Sequence, residues 1–210
     1  VLITAGPTRE KIDPVRYISN KSSGKMGFSL AKAAVDESAI VTLISGPVTL
    51  ETPERVKRID IESAEEMKEH VTANLSDIDL FISTAAVADF KMKNAESQKI
   101  KKDQSKNMSL SLEKNEDILK HVSDNNPDLK IVGFAAETEN MIDNARKKLS
   151  SKNLNLIVAN DVSDSSIGFD SNNNEVTLIT EKEELKILKT SKEKVARKIV
   201  QFISKNILND

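Results

Sequence analysis

VLITAGPTREKIDPVRYISNKSSGKMGF, residues 1–28, reads as a strand, a long loop and the start of a helix. Val1 to Ala5 is a short apolar run of the kind buried on both faces of a sheet. The loop that follows carries Gly6, Pro7, Pro14, Ser22, Ser23 and Gly24, and a helical period opens near Gly27. Glycines let backbone N–H groups approach a phosphate, serines add hydroxyls, and a helix N-terminus adds partial positive charge. Gly6, Ser22, Ser23 and Gly24 are therefore candidate anion-binding residues. Gly6 and Gly24 stand too far apart for a tight G-x-G-x-x-G turn. The extra length implies that something besides a phosphate is held there; the alternative is a surface loop punctuated by prolines and glycines.

Further strand-like runs lie at 39–45, 56–61, 79–86, 129–137 and 154–161, separated by stretches of helical period at 27–35, 64–75, 116–122 and 139–149. This alternation predicts α/β architecture: a Rossmann-like, three-layer, mostly parallel sheet with helices on both faces. Residues 174–190 predict a C-terminal β-hairpin about the polar turn EKEE, before a closing amphipathic helix from Ser191 to about Asn206. With no repeat and no second core, residues 1–210 are expected to form a single domain. Residues 87–106 are polar, lysine-rich and too long for a plain connection, so they are either a mobile active-site flap or a disordered linker.

The chain has 210 residues, 38% hydrophobic and 30% charged, which suits one globular core. A net charge of -2 offers no global field for nucleic acid or anionic membrane, so any anion site is local. With no cysteine, a disulfide framework, a thiolate metal site and a cysteine nucleophile are all excluded. The composition suits a reducing compartment, and the cytoplasm is the expected location. No apolar run approaches the roughly 20 residues of a membrane span. The chain opens on Val1 rather than an initiator Met, as a processed or excised chain would, so further sequence upstream is expected.

Ligands of parallel α/β sheets sit outside the carboxyl ends of the strands, so the residues just after each run carry the chemistry. The run ending STAAVADF offers small residues around Ala85 and then Asp89, which can meet a base, a ribose or Mg2+, or simply cap a turn. Lys99-Ile100-Lys101-Lys102 can close over phosphates or remain a solvated charge run. Phe134 can face a base or belong to the core, and Asn160 and Asp161 can bind a polar substrate or form a turn. Gly168-Phe169-Asp170 follow soon after. Lys148 and Lys152 lie four apart near a helix end, as one basic edge or as partners of the helix dipole. His70 and His121 lack zinc-site spacing and are assigned neither to metal nor to catalysis. Tyr17 and Lys21 match the Tyr-x-x-x-Lys spacing of short-chain dehydrogenases, but in the first loop instead of on a late helix. An NAD(P)-dependent reductase and a non-catalytic nucleotide-binding module are thus the competing readings.

Taken in order, ITAGPTREKIDPVRYISNKSSGKMGF, STAAVADF, KIKK, KNEDIL, GFAAET and IVANDVS resemble phosphopantothenate-cysteine ligase. The likeness is greatest to the bacterial, CTP-dependent form, the C-terminal half of a bifunctional protein that begins with a flavin-dependent phosphopantothenoylcysteine decarboxylase. It runs from residue 2 to about residue 170. The resemblance implies that 4'-phosphopantothenate, L-cysteine and CTP are the substrates, with Mg2+ as cofactor and a homodimer as the assembly. It implies an acyl-cytidylate intermediate, then displacement of CMP by cysteine. By the same resemblance Asn20 holds the pantothenoyl group during cysteine attack, and Lys99 is the flap lysine that assists cytidylate formation. Asp89, Phe134, Lys148 and Lys152 fall on nucleotide-contacting positions, Glu116, Asp117, Ile118 and Leu119 flank the cytosine, and Ala85 and Asn160 face the substrate. It assigns no metal ligands. One departure stands out: the family usually has proline where this chain has Glu116, which is expected to soften that loop while leaving the CTP preference intact.

Overall fold

The computed structural model describes residues 1–101, 108–137, 139–161 and 171–208. The chain begins with β1 (Leu2–Ala5), followed in the first loop by β2 (Arg9–Lys11) and β3 (Tyr17–Ser19), then α1 (Lys25–Asp36). Next come β4 (Val41–Ser45), β5 (Val56–Asp60), α2 (Ala64–Ala73), β6 (Leu80–Ser83), β7 (Phe90–Met92) and β8 (Leu112–Lys114). The rest is α3 (Ile118–Asn125), β9 (Lys130–Glu137), α4 (Met141–Ser151), β10 (Leu156–Asp161), β11 (Asn173–Ile179), β12 (Glu184–Ser191) and α5 (Lys192–Asn206).

Eight strands form the central sheet in the order β12-β11-β10-β9-β6-β1-β4-β5. All pairings from β10 to β5 are parallel, whereas β11 and β12 extend the sheet antiparallel. Successive residues of each inner strand feed opposite faces. Ile3, Ile82 and Val158 join the core under α1 and α5, while Leu2, Phe81 and Ile157 join the core under α2, α3 and α4. Burial on both sides explains why these strands read as unbroken apolar runs. α1 turns Phe28, Leu30, Ala31, Ala34 and Val35 inward, the spacing of a helix lying on a sheet.

The predicted hairpin and closing helix are present, and their place in the sheet matters. Because β11 runs against β10, its first residues lie beside the last residues of β10, with Asn160 opposite Val176. β12 reverses again, so α5 starts at the same edge of the sheet where the parallel strands end.

Two small sheets lie outside the predicted pattern: β2 with β3, and β7 with β8. Part of the segment expected to be flap or linker is therefore ordered strand. The helix expected from 116 starts at Ile118, because the Asp117 carboxylate caps it by accepting from the Lys120 N–H at 3.0 Å.

Candidate active site

The chain leaves β1 towards β4 on one side and returns as β6 on the other, making a topological switch point at the middle of the sheet. One cavity of about 800 Å³ opens there, lined from the α1 start, the turn after β6 and the ends of β9 and β10. Asn20, Ser22, Ser23, Gly24, Ala85, Asp89, Glu116, Asp117, Ile118, Leu119, Phe134, Lys152 and Asn160 all contribute to its wall.

The length of the first loop has a structural cause. Residues 6–8 zip onto the turn after β6: the Ala86 N–H donates to the Gly6 carbonyl at 2.9 Å and the Ala88 N–H to the Thr8 hydroxyl at 2.9 Å. The chain then makes the β2–β3 hairpin and returns over the cavity as residues 20–24. Asn20 secures the return, donating through Nδ2 to the carbonyls of Ala86 at 3.2 Å and Val87 at 3.0 Å. Two carbonyl neighbours fix the orientation of this amide, so the group it has left for a ligand is the acceptor Oδ1. Gly24 follows in the left-handed region, φ 76°, and no side chain caps α1 behind it. First-turn N–H groups of an uncapped helix suit an anion.

The other side of the cavity is the loop from Lys114 to Leu119. It is tied to the turn after β6, the Asn115 N–H donating to the Asp89 carbonyl at 2.9 Å and Asn115 Nδ2 to the Ala88 carbonyl at 2.8 Å. Burial pushes the Asp117 carboxyl up, but hydrogen bonds from Lys152, at 2.7 Å, and from the Lys120 N–H outweigh it and hold the group below its usual value. Glu116 is held from two sides. Its Oε2 meets Lys68 of α2 at 2.6 Å and its Oε1 meets His121 of α3 at 2.7 Å. Chiefly through the Lys68 hydrogen bond, its carboxyl is also held below the usual value. An ion pair to α2 and a contact with His121 of α3 thus stand at the position where the family resemblance leads one to expect a proline ring. Glu116→Ala is expected to weaken ligand binding in the cavity by about two- to fivefold, the scale of a half-exposed ion pair. Glu116→Pro is expected to stay within about twofold of the parent, since the ring restricts the same backbone. Steady-state kinetics of both variants checks this, and equal losses in the two would sink it.

The family described as the DNA/pantothenate metabolism flavoprotein C-terminal domain matches residues 1–207. The chain belongs to this family. Among relatives, the coenzyme A biosynthesis bifunctional protein CoaBC of Vibrio vulnificus is 50% identical over 207 residues, covering 97% of this chain and 51% of its own length. The chain spans about half the length of the curated relatives it matches. Among solved structures, the C-terminal domain of a CoaBC protein superposes with a TM-score of 0.84 at 40% identity, covering 100% of this chain and 95% of that one. A Cab2 complex with phosphopantothenate-cysteine shares the fold at 16% identity, with a TM-score of 0.78 over 97% of this chain and 86% of that one.

This family domain places most of the predicted site residues together and sets three apart. Gly6 packs at the base of the loop, its position for a Cβ only 3.1 Å from the Gly46 carbonyl oxygen, and does not line the cavity. Lys148, in the last turn of α4, and the exposed Lys99 are also outside the lining. Tyr17 lies under the Arg9 guanidinium at 4.7 Å on the β2–β3 hairpin, and neither it nor Lys21 reaches the cavity. The reductase reading therefore loses its only motif. Lys102 and Gly168-Phe169-Asp170 lie outside the described residues, as does the Asp161 side chain.

Lys25, Lys114, Asn174 and Lys192 line the cavity and were missed in the sequence. Lys192 is only 6% exposed and Asn174 only 2%, unusual burial for such groups. Both stand at the reversed end of the sheet, where no strand-end rule points. Asn160 adds a buried Oδ1 with no hydrogen-bond partner among the described residues. An orphaned acceptor in a cavity wall is what a donor-bearing ligand would satisfy.

Proposed function

We propose that this chain is a ligase of coenzyme A biosynthesis that joins 4'-phosphopantothenate to L-cysteine at the expense of CTP. The observation that carries the reading is that one cavity holds both an anion cradle with Asn20 and the separately anchored 114–119 loop. That arrangement suits two reactants side by side. In the first step a phosphopantothenate carboxylate oxygen attacks the α-phosphorus of CTP and pyrophosphate leaves. In the second the cysteine amine attacks the acyl carbon, CMP leaves with the bonding electron pair, and the surplus amine proton passes to solvent. Activation is needed because a free carboxylate has no good leaving group.

Each part of the wall has a task in this reading. The α1 start and Lys25 receive phosphate, the 114–119 loop and Phe134 receive the base, and Ala85, Asn160 and Asn20 receive the acyl arm. Asn20 Oδ1 can accept an N–H of the incoming amine and so aim its lone pair at the acyl carbon. Lys99 acts from the flap on the α-phosphate. Among the described residues no cluster of three or more His, Cys, Asp or Glu could cage a metal. Mg2+ would then be held mainly by triphosphate oxygens, and because Glu116 and Asp117 are engaged by Lys68 and Lys152, Asp89 would be the cavity carboxylate to meet it. When bound, the ion neutralises phosphate charge.

Pyrophosphate release on incubation with phosphopantothenate, CTP and Mg2+, then phosphopantothenoylcysteine and CMP on adding cysteine, is the expected result. Absence of both ends the reading, and nucleotide binding without turnover would mark a non-catalytic module instead.

We further propose a cytoplasmic homodimer, fused or associated with a flavin-dependent decarboxylase half that lies outside this chain. No helix among the described residues is long and apolar enough to cross a membrane. The β11–β12 hairpin is built into the central sheet under α5, so it is the weaker candidate for a dimer contact. Val15, Tyr17, Phe90 and Leu112 are all exposed on the two small sheets, where β2 packs beside β7. Such a concentration of exposed apolar side chains marks an interaction surface. Tyr17→Glu/Leu112→Glu is expected to sediment as a folded monomer; an undisturbed dimer would place the contact elsewhere.

A further inference from the structure

Asp13, at the tip of the β2–β3 hairpin, is buried although it lies outside the cavity, with its side chain fully enclosed. Its Oδ1 accepts the backbone N–H groups of Val15 at 2.8 Å and Arg16 at 2.9 Å. Its Oδ2 accepts the Arg16 guanidinium, with Nε at 3.0 Å, and also the backbone N–H of Ile100 at 3.1 Å. The same guanidinium donates to the Ile100 carbonyl at 3.1 Å. One carboxylate–guanidinium pair therefore holds both polar groups of a single residue from a segment far along the chain. A further bond, from the Glu96 N–H to the Ile12 carbonyl at 3.0 Å, lays that segment along the hairpin.

Ile100 stands between Lys99 and Lys101, and its N–H belongs to the peptide bond that leaves Lys99. We propose that Asp13, with Arg16, is a positioning residue for Lys99: the pair tethers the peptide that follows Lys99 to the β2–β3 hairpin, and from that tether the ammonium group, which stands outside the cavity lining in this structure, is delivered to the reacting phosphate. The proposal rests on the reading of Lys99 as the flap cation. Asp13 itself touches no substrate. When the Ile100 contacts open, the carboxylate keeps Arg16 and two backbone N–H groups, so the anchor can release without stranding a buried charge. Charge-assisted hydrogen bonds are stronger than neutral ones, which suits an anchor made of only two contacts.

Asp13→Asn removes the charge and sets an amide among donors. It is expected to slow pyrophosphate release from phosphopantothenate and CTP by about ten- to a hundredfold, the loss of one or two such bonds. The KM for CTP should move little, and coupling of preformed acyl-cytidylate to cysteine should stay within about twofold. Exchange of the Ile100 amide hydrogen should accelerate by at least about tenfold. Should Asp13→Asn fold poorly, Arg16→Lys retains a charge for Asp13 but lacks the fork that also reaches the Ile100 carbonyl, and is expected to show the same split. Lys99→Ala separates the two claims. If it leaves pyrophosphate release intact, the reading of Lys99 fails; if it abolishes release while Asp13→Asn and Arg16→Lys leave release unchanged, the anchor fails. Equal slowing of both half-reactions would also overturn the proposal, since it would show a merely structural role.

Discussion

Asn20→Ala is expected to release pyrophosphate within a few-fold of the parent rate, yet to accumulate the acyl-cytidylate and make phosphopantothenoylcysteine about 10² to 10³ times more slowly. The magnitude is that of losing one placed polar group from a reacting centre. The split between half-reactions follows from the geometry. Nδ2 is committed to the carbonyls of Ala86 and Val87, so what Ala removes on the ligand side is an acceptor, and the donor that arrives only in the second half-reaction is the cysteine amine. Cytidylate formation joins a carboxylate oxygen to phosphorus and needs no N–H donor at the acyl carbon. Asn20→Asp keeps an acceptor but replaces two donated bonds with oxygen–oxygen repulsion, so it is expected to impair both steps by displacing the loop. Quenched-flow separation of pyrophosphate, acyl-cytidylate and product decides the matter. An Asn20→Ala protein that couples cysteine at the parent rate would remove the residue from the mechanism.

Gly27→Ala is expected to lose about 1–3 kcal/mol of stability and most of its nucleotide binding. A Cβ at this position would lie 2.5 Å from Ala5 Cβ and 2.6 Å from Thr84 Oγ1. Helix propensity favours alanine over glycine by about 1 kcal/mol. Overlap wins, because neither neighbour can swing away: one Cβ is fixed to the backbone of β1, and Thr84 Oγ1 donates to the Thr4 carbonyl at 2.6 Å. The relief available is for α1 to lift off the sheet, which carries its first-turn N–H groups away from the cavity. Gly27→Val adds branches at the same point and is expected to yield no folded protein. Urea denaturation and nucleotide titration of Gly27→Ala test both parts, and a variant of parent stability would mean that α1 sits farther from β1 than described.

The readable part of the fold is the part whose physics is local. Runs such as LFIS and LIVAN must be apolar on both sides because both faces of the sheet are covered, and their spacing implies the crossover helices. The short strands REK and LEK carry no such signal, since each is held by a partner strand and not by its own pattern. At the site, strand-end reasoning reached Asn160 and Phe134, and the family resemblance reached Asn20, while Lys99, which it also named, stands outside the cavity lining. Lys192 and Asn174 were out of reach of both, because their position depends on β11 running backwards. Asp13 drew no reading from the sequence; only the fold shows that Ile100 comes to it. Glu116 read as the loss of a stiff residue because its partners, Lys68 and His121, are supplied by two other helices.

The reversal of β11 has a consequence in time. A ribosome delivers the long first loop, the turn after β6 and the base-side loop well before it delivers Asn174 and Lys192. The central parallel strands can pair during that interval, but the pocket lacks a wall until the last strand pair and helix have docked. Catalytic competence therefore comes late in the domain's synthesis, and a chain halted before residue 173 would own most of its sheet while lacking a finished place for its substrates.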